Sequence, residues 1–264
     1  MATTKNLTQE QNNIIRLSKQ MVANESLKIQ ACAGSGKTST LVEIAKANPN
    51  QSFLYLAFNK SVIEEAKGKF PDNVKIQTTH SLAYAKIIGQ GRKKITNKHT
   101  IDDYNAIGIN NYNDFYDFNK TLNFFLNSNL SLKNINNAKI ESLFELVRSG
   151  ALPYTHSLYL KEYQLLSPKD RGLNNYDFIL LDEAQDTNAV TLSIFTLNSC
   201  KKILVGDTSQ NIYGFRDTIN ALETMPTTYE KSLTYSFRCK QSILSKACYF
   251  LNGYNHKNVF FRSA

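Results

Sequence analysis

The sequence predicts an α/β fold: a parallel sheet with helices on both faces, interrupted by a mostly helical insertion. Three observations predict it. Short apolar runs alternate with helix-period segments over residues 27–88, the rhythm of strand–helix–strand units. The same alternation resumes at residue 177 and runs to about residue 251. Between the two lies a stretch dense in Asn, with scattered aromatic residues and no such rhythm. The 264-residue chain is 42% hydrophobic and 20% charged, enough apolar content for one large domain or two small ones, and too little charge for wholesale disorder.

Each element has its own signal. Thr8 and Gln11 stand at capping-box spacing, and Ile14, Leu17 and Met21 follow at helical intervals, so a first helix opens at Thr8. Residues 27–31 read as a short strand, 32–36 as a small-residue loop, and 37–47 as a helix that ends before Pro49. The apolar run 53–57 is a buried strand. Residues 60–69 form a helix ahead of Pro71, 74–77 a strand and 81–88 a helix. The rhythm stops near Gly89 and Gly91. In the insertion, Ile140, Leu143, Phe144 and Val147 recur at helical spacing, while the abundant Asn weakens each helix assignment. Residues 177–181 and 202–205 then read as strands around a helix at 189–198, and a strand at 232–235 precedes a helix at 241–251. The expected segments are thus 1–88 and 176–232 for the sheet domain, 89–175 for the insertion, and 233–264 for the start of an incomplete second domain.

Composition narrows the partners. Thirty-one Lys and Arg against 22 Asp and Glu leave a net charge of +9. Such an excess suits a polyanion, nucleic acid first, although many basic proteins bind nothing anionic. No apolar run reaches the length of a membrane span, and the polar N-terminus lacks a signal-peptide core. No membrane partner is expected, and the location expected is cytoplasmic, nucleoid-associated or nuclear. Cys32, Cys200, Cys239 and Cys248 form no CxxC pair and have no His at zinc-ligand spacing, which suits reduced thiols.

Three segments carry chemistry. The first is Ala31-Cys-Ala-Gly-Ser-Gly-Lys-Thr38, a glycine loop between strand and helix. In such a loop backbone N–H groups wrap phosphate oxygens and the helix N-terminus adds positive potential. Lys37 would reach the β- and γ-phosphates and Thr38 would ligate Mg²⁺, with Ala33, Gly34, Ser35, Gly36 and Ser39 completing the cradle. The general pattern GxxxxGK[ST] fails only at its first position, where Ala31 stands. The second segment, Phe178-Ile-Leu-Leu-Asp-Glu-Ala-Gln-Asp186, is an apolar strand ending in acids. It puts carboxylates at the sheet edge where ligands bind. Asp182 would hold Mg²⁺, and Glu183 would orient and deprotonate the attacking water. The third, residues 204–216, is a strand running into a polar, aromatic loop. Gln210 could sense the γ-phosphate there, and Tyr213 and Phe215 could either stack on bases or serve as core.

Together these segments resemble superfamily 1 helicases of the UvrD/Rep/PcrA type, whose phosphate loop has the form AxxGxGKT and so accounts for Ala31. Leu7-Thr-Gln-Glu-Gln11 resembles the family's Q motif, which implies that Gln11 reads the adenine edge, compatibly with its capping-box role. Tyr55-Leu-Ala-Phe-Asn-Lys60 resembles motif Ia and Thr78-Thr-His-Ser81 motif Ib. By that resemblance Phe58, Asn59, Thr79 and His80 contact DNA, although a lone His is more often structural. Leu181–Asp186 resembles motif II and residues 205–216 motif III, which implies that Gln210 couples the γ-phosphate to DNA and that Tyr213 stacks on a base. Phe215 stands where the family often has Trp. Leu233-Thr-Tyr-Ser-Phe-Arg238 resembles motif IV, with Arg238 as an arginine finger and Phe237 against the adenine. The wording of residues 56–71 and 78–86 is nearest to the F-box DNA helicase branch, though no F-box is apparent.

The resemblance implies a RecA-like P-loop NTPase fold with a helical 1B-like insertion, ATP and Mg²⁺ as cofactors, single-stranded DNA or a single/double-strand junction as partner, and 3′→5′ polarity in the complete enzyme. It implies work in DNA repair or recombination. Motifs V and VI have no counterpart, and about 25 residues follow Arg238, too few for a second domain. The expectation is the first half of a helicase, weakly active until a second domain joins it in cis or from a partner protein. The rival reading is a non-catalytic helicase remnant that holds nucleotide, single-stranded DNA or a partner.

Overall fold

The computed structural model describes residues 7–57, 60–89, 93–210, 218–254 and 259–264. In chain order these form α1 (Gln9–Ser18), β1 (Ser26–Ala31), α2 (Lys37–Ala47), β2 (Phe53–Ala57), α3 (Lys60–Ala66), β3 (Val74–Thr78), α4 (Thr79–Ala83), α5 (Tyr112–Asn127), α6 (Leu132–Ile135), α7 (Ala138–Ser149), α8 (His156–Leu165), β4 (Phe178–Leu181), β5 (Thr187–Asn188), α9 (Ala189–Thr196), β6 (Lys201–Gly206), β7 (Thr218–Ile219), α10 (Ala221–Thr224), β8 (Tyr229–Leu233), β9 (Tyr235–Ser236), α11 (Gln241–Tyr254) and β10 (Arg262–Ser263). The expected helix at 60–69 stops at Ala66, and that at 81–88 is replaced by α4 followed by a π-helical turn, Tyr84–Gly89.

The chain divides into two compact units. One holds the described residues up to Thr78, Leu173–Thr187 and everything from Asn198 onward; the other holds Thr79–Gly172 and Asn188–Leu197. The first unit is built on a six-stranded parallel sheet of order β3-β2-β4-β6-β1-β8. All five residues of β2 and all four of β4 are buried, as interior strands of a parallel sheet must be. Leu27, Ile29, Tyr55, Leu180, Ile203 and Val205 form its core together with Ile14 of α1 and Leu41 and Ile44 of α2. The capping box at Thr8 forms as expected, with each of Thr8 and Gln11 bonding the other's backbone N–H.

Strand β8 extends the sheet beside β1, pairing Ala31 with Leu233, and the described residues that follow it cluster with the sheet unit. The inserted unit begins at Thr79 instead of residue 89 and recruits α9. The reason is packing within that unit. The Tyr159 ring of α8 makes edge contacts with His80 and Tyr84, and Gln164 Nε2 of α8 donates to Ser193 Oγ of α9 at 3.2 Å.

The Asn-rich stretch is helical with the help of Asn caps, although Asn113, Asn119 and Asn123 lie within α5. Asn111 caps α5, Asn137 caps α7 and Asn188 caps α9, each side chain accepting a backbone N–H three residues on. The four apolar residues of α7 at helical spacing are each 0% exposed. Burial of that stripe, on the order of 1.5–3 kcal/mol per side chain, outweighs the weak helix propensity of the flanking Asn.

Candidate functional site

The strand order creates the site. Strand β6 lies between β1 and β4, so the loops leaving β1 and β4 are separated by two strand spacings, roughly 10 Å. Side chains close that gap. Thr38 Oγ1 donates to Asp182 Oδ2 at 2.9 Å, and Lys37 Nζ pairs with Glu183 Oε2 at 3.0 Å. The glycine loop and the acidic strand end, 144 residues apart for the Thr38–Asp182 pair, thus meet as their sequences suggest.

The loop has the features of an anion cradle. Gly34 holds φ +72°, and a Cβ there would lie 2.3 Å from Arg238 Cβ, so only glycine fits. Helix α2 starts after Gly36 with no side-chain cap on its first N–H groups, which leaves them to an anion. Ser35 Oγ is buried with no hydrogen-bond partner among the described residues. A phosphate oxygen would satisfy it. For a cation, Thr38 and Asp182 provide two adjacent hard oxygen donors. The described residues contain no cluster of three or more His, Cys, Asp or Glu. That set fits Mg²⁺, which takes one or two protein oxygens and completes its shell with phosphate and water.

Asp182 is 2% exposed. Its Oδ2 accepts from Thr38 and, at 2.7 Å, from the Tyr55 hydroxyl of β2, while its Oδ1 accepts the Glu183 N–H at 2.9 Å. Burial and then the neighbouring Glu183 push its pKa up; the Tyr55, Thr38 and backbone hydrogen bonds pull against them. Burial, with Asp182 next to it, also raises the Tyr55 phenol. Glu183 sits in the left-handed region at φ +49°, ψ +46°, a strained backbone for a residue with a side chain. Gln185 Nε2 donates to Glu183 Oε2 at 3.0 Å, and Gln185 Oε1 accepts the Asp207 N–H at 3.0 Å. Gln210 reaches the same place: its Nε2 donates to Asp207 Oδ2 at 2.6 Å.

The chain after β8 closes another side of the loop. Ser236 Oγ donates to Ala33 O at 2.7 Å, and Phe237 N–H donates to Gly34 O at 2.9 Å. Phe237 is 56% exposed, and its ring lies beside Gly36 together with the Gln11 amide. Gln11 is buried, its Oε1 accepting from Thr8 N–H and its Nε2 donating to Thr40 Oγ1 at 3.1 Å. Arg238 is exposed next to the loop. Cys32, at the loop's start, is buried, and burial followed by Asp207 pushes its thiol up to about 11, so it is a poor nucleophile. All four cysteines are free thiols.

The DNA-contact candidates fare unevenly. Phe58, Asn59, Tyr213 and Phe215 lie outside the described residues. Thr79 opens α4 and is buried at 5% exposure. His80 is exposed as a residue. Its Nδ1 lies 3.3 Å from the Tyr159 hydroxyl, which His156 Nδ1 also meets at 3.0 Å, and burial of the imidazole followed by His156 lowers the His80 pKa. Tyr55, Gln185 and Asp207 were not singled out by sequence. Tyr55 is apolar-run residue and strand core at once, and nothing local marks its hydroxyl as the donor to Asp182.

A phosphate loop after the first strand, facing an acid pair at the end of another strand of one parallel sheet, defines a RecA-like P-loop domain. A family model described as an AAA domain matches residues 11–216. The chain is 33% identical over 270 residues to F-box DNA helicase 1 of Gallus gallus, covering 88% of this chain and 26% of that protein. It is 32% identical over 300 residues to F-box DNA helicase protein 1 of Schizosaccharomyces pombe, covering 94% of this chain and 33% of that protein. A structure of Pif1 helicases on forked duplex DNA aligns at 14% identity and a TM-score of 0.45, over 96% of this chain and 50% of that one. The chain belongs to the AAA domain family, and the curated relatives it resembles are DNA helicases. It spans about a quarter to a third of the length of these curated relatives. Among the described residues no helix is long and apolar enough to cross a membrane.

Proposed function

We propose that this chain carries the ATP-hydrolysing core of a DNA helicase or translocase. The observation that carries the reading is the pairing across the sheet of Lys37 with Glu183 and of Thr38 with Asp182. Lys37 leaves Glu183 for the β- and γ-phosphates when nucleotide enters, because a doubly anionic phosphate is the stronger partner in a desolvated cradle. Thr38 and Asp182 hold Mg²⁺, which when bound neutralises charge on the phosphates. Glu183, freed of its ammonium partner, orients the attacking water and takes its proton. Gln210 senses the γ-phosphate. Arg238 meets the charge that develops on the transferred group, and Gln11 and Phe237 receive the adenine. His80 and, from their sequence positions, Phe58, Asn59, Tyr213 and Phe215 face single-stranded DNA, and translocation runs 3′→5′.

The test is calorimetric titration of Mg·ATP into wild type and Lys37→Ala, followed by ATPase assays with and without oligo-dT. Lys37→Ala is expected to weaken ATP binding by at least tenfold, since a charge-assisted hydrogen bond of about 1.5–3 kcal/mol disappears. Hydrolysis is expected to depend on Glu183 and to rise with oligo-dT. Unchanged ATP affinity in the mutant would remove the basis of the phosphate-loop assignment.

A further inference from the structure

Two donors meet the Glu183 carboxylate among the described residues, Lys37 Nζ and Gln185 Nε2, both at 3.0 Å and both on Oε2. Oε1 accepts no hydrogen bond there. On the reading above, Lys37 departs when phosphate arrives. The base then keeps one side-chain donor, Gln185. That residue is 2% exposed and spans between two elements. Its amide nitrogen serves Glu183 and, at 3.3 Å, Asp186 Oδ2; its amide oxygen accepts the Asp207 N–H just past the end of β6. Asp207 in turn holds Gln210 Nε2 and, through Oδ1, the Ser209 N–H at 2.9 Å. A continuous chain therefore runs Glu183–Gln185–Asp207–Gln210. The space for it is made by Gly206, where a Cβ would stand 2.3 Å from Gln185 Oε1 and 3.0 Å from Ala184 N.

From this geometry we infer that Gln185 is the positioning residue of the hydrolytic site: it keeps Glu183 aimed after Lys37 leaves and links the base to the Asp207–Gln210 turn that follows β6. The inference rests on the reading of Glu183 as base. Only an uncharged amide does both jobs, because it offers a donor to carboxylates at one end and an acceptor to a main-chain N–H at the other. Glu at 185 keeps the acceptor, loses the donor and places a third negative charge beside Glu183 and Asp186. Leu loses both ends. With Oε2 occupied by Gln185, Oε1 is the oxygen left to take the proton from water.

The experiment uses the full chain with Mg·ATP and oligo-dT, comparing wild type, Glu183→Gln, Gln185→Glu, Gln185→Leu and Gly206→Ala, with amide hydrogen exchange on each. Both Gln185 variants are expected to lose about 100-fold in kcat, the usual cost of a misaimed group, with KM for ATP within about twofold of wild type, since the Gln185 amide bonds Glu183, Asp186 and Asp207, none of them in the phosphate loop. Exchange at the Asp207 amide is expected to accelerate in Gln185→Leu and stay protected in the near-isosteric Gln185→Glu, a readout that turnover does not enter. Gly206→Ala, which displaces Gln185 without altering its chemistry, is expected to copy the kcat loss, and it keeps the test decisive if Gln185→Leu fails to fold. Wild-type kcat in both Gln185 variants, alongside a dead Glu183→Gln, overturns the inference and leaves the proposed function standing. Wild-type turnover that is indifferent to Glu183→Gln overturns the proposed function and this inference with it. An Asp207 amide no faster in Gln185→Leu overturns the link to β6.

Discussion

Replacing Tyr55 by Phe removes one oxygen and should be felt at Asp182. The ring stays in place, packed 4.8 Å from the Phe70 centroid and fully buried, so little packing is lost. What goes is the 2.7 Å hydrogen bond to Asp182 Oδ2, one of three donors on that carboxylate. Asp182 is 2% exposed, so water cannot replace the donor cheaply. A hydrogen bond to a charged group contributes about 1.5–3 kcal/mol, and that is the expected loss of unfolding free energy. Urea denaturation without nucleotide should show a lower midpoint at unchanged slope. The control is Tyr229→Phe, which removes the same kind of bond, to Glu25 Oε1 at 2.9 Å, from a solvated position. Surface pairs of this kind contribute little, so that variant should match wild type. If the two variants unfold at the same urea concentration, burial of the Tyr55–Asp182 pair does not set its worth and the argument fails.

Further expectations concern the phosphate loop and acid sensitivity. Gly34→Ala forces a left-handed residue with its Cβ against Arg238 and should cost on the order of 1–3 kcal/mol. Hydrogen exchange should then report faster exchange at Phe237, whose N–H is held by Gly34 O; protection equal to wild type would mean that the 236–238 segment does not lean on the loop. Asp177 accepts the Ser52 N–H at 2.8 Å and the Ser52 hydroxyl at 2.9 Å, and the backbone bond first, then the hydroxyl and Lys201, hold its pKa below the ordinary 3.8. A depressed carboxyl pKa contributes stability above the unfolded-state value, and that stability is lost as pH falls through the folded-state one. Wild type should therefore lose stability below about pH 4 more steeply than Asp177→Asn, and parallel acid denaturation curves would contradict this.

What the sequence alone determined is local. The Thr8 capping box, the strand–helix alternation and the AxxGxGKT loop each depend on residues within one or two turns of one another. Side-chain period and turn chemistry therefore mark them wherever they occur. The acid pair was legible for the same reason, because an apolar strand ending in Asp182 and Glu183 points to a sheet edge. What only the tertiary structure decided is adjacency between distant segments. The order β3-β2-β4-β6-β1-β8 sets β2 beside β4. It brings the Tyr55 hydroxyl to Asp182 across 127 residues, although Tyr55 in sequence is one more member of an apolar run. The same order sets the end of β6 against the turn after β4, where Gln185 meets Asp207. The inserted unit gathers α4 and α9, far apart in sequence, because Tyr159 and Gln164 of one helix hold both. No local pattern encodes which strand neighbours which. Pairing is chosen by the burial of whole faces at once, and the hydrogen bonds that aim the acids depend on that pairing.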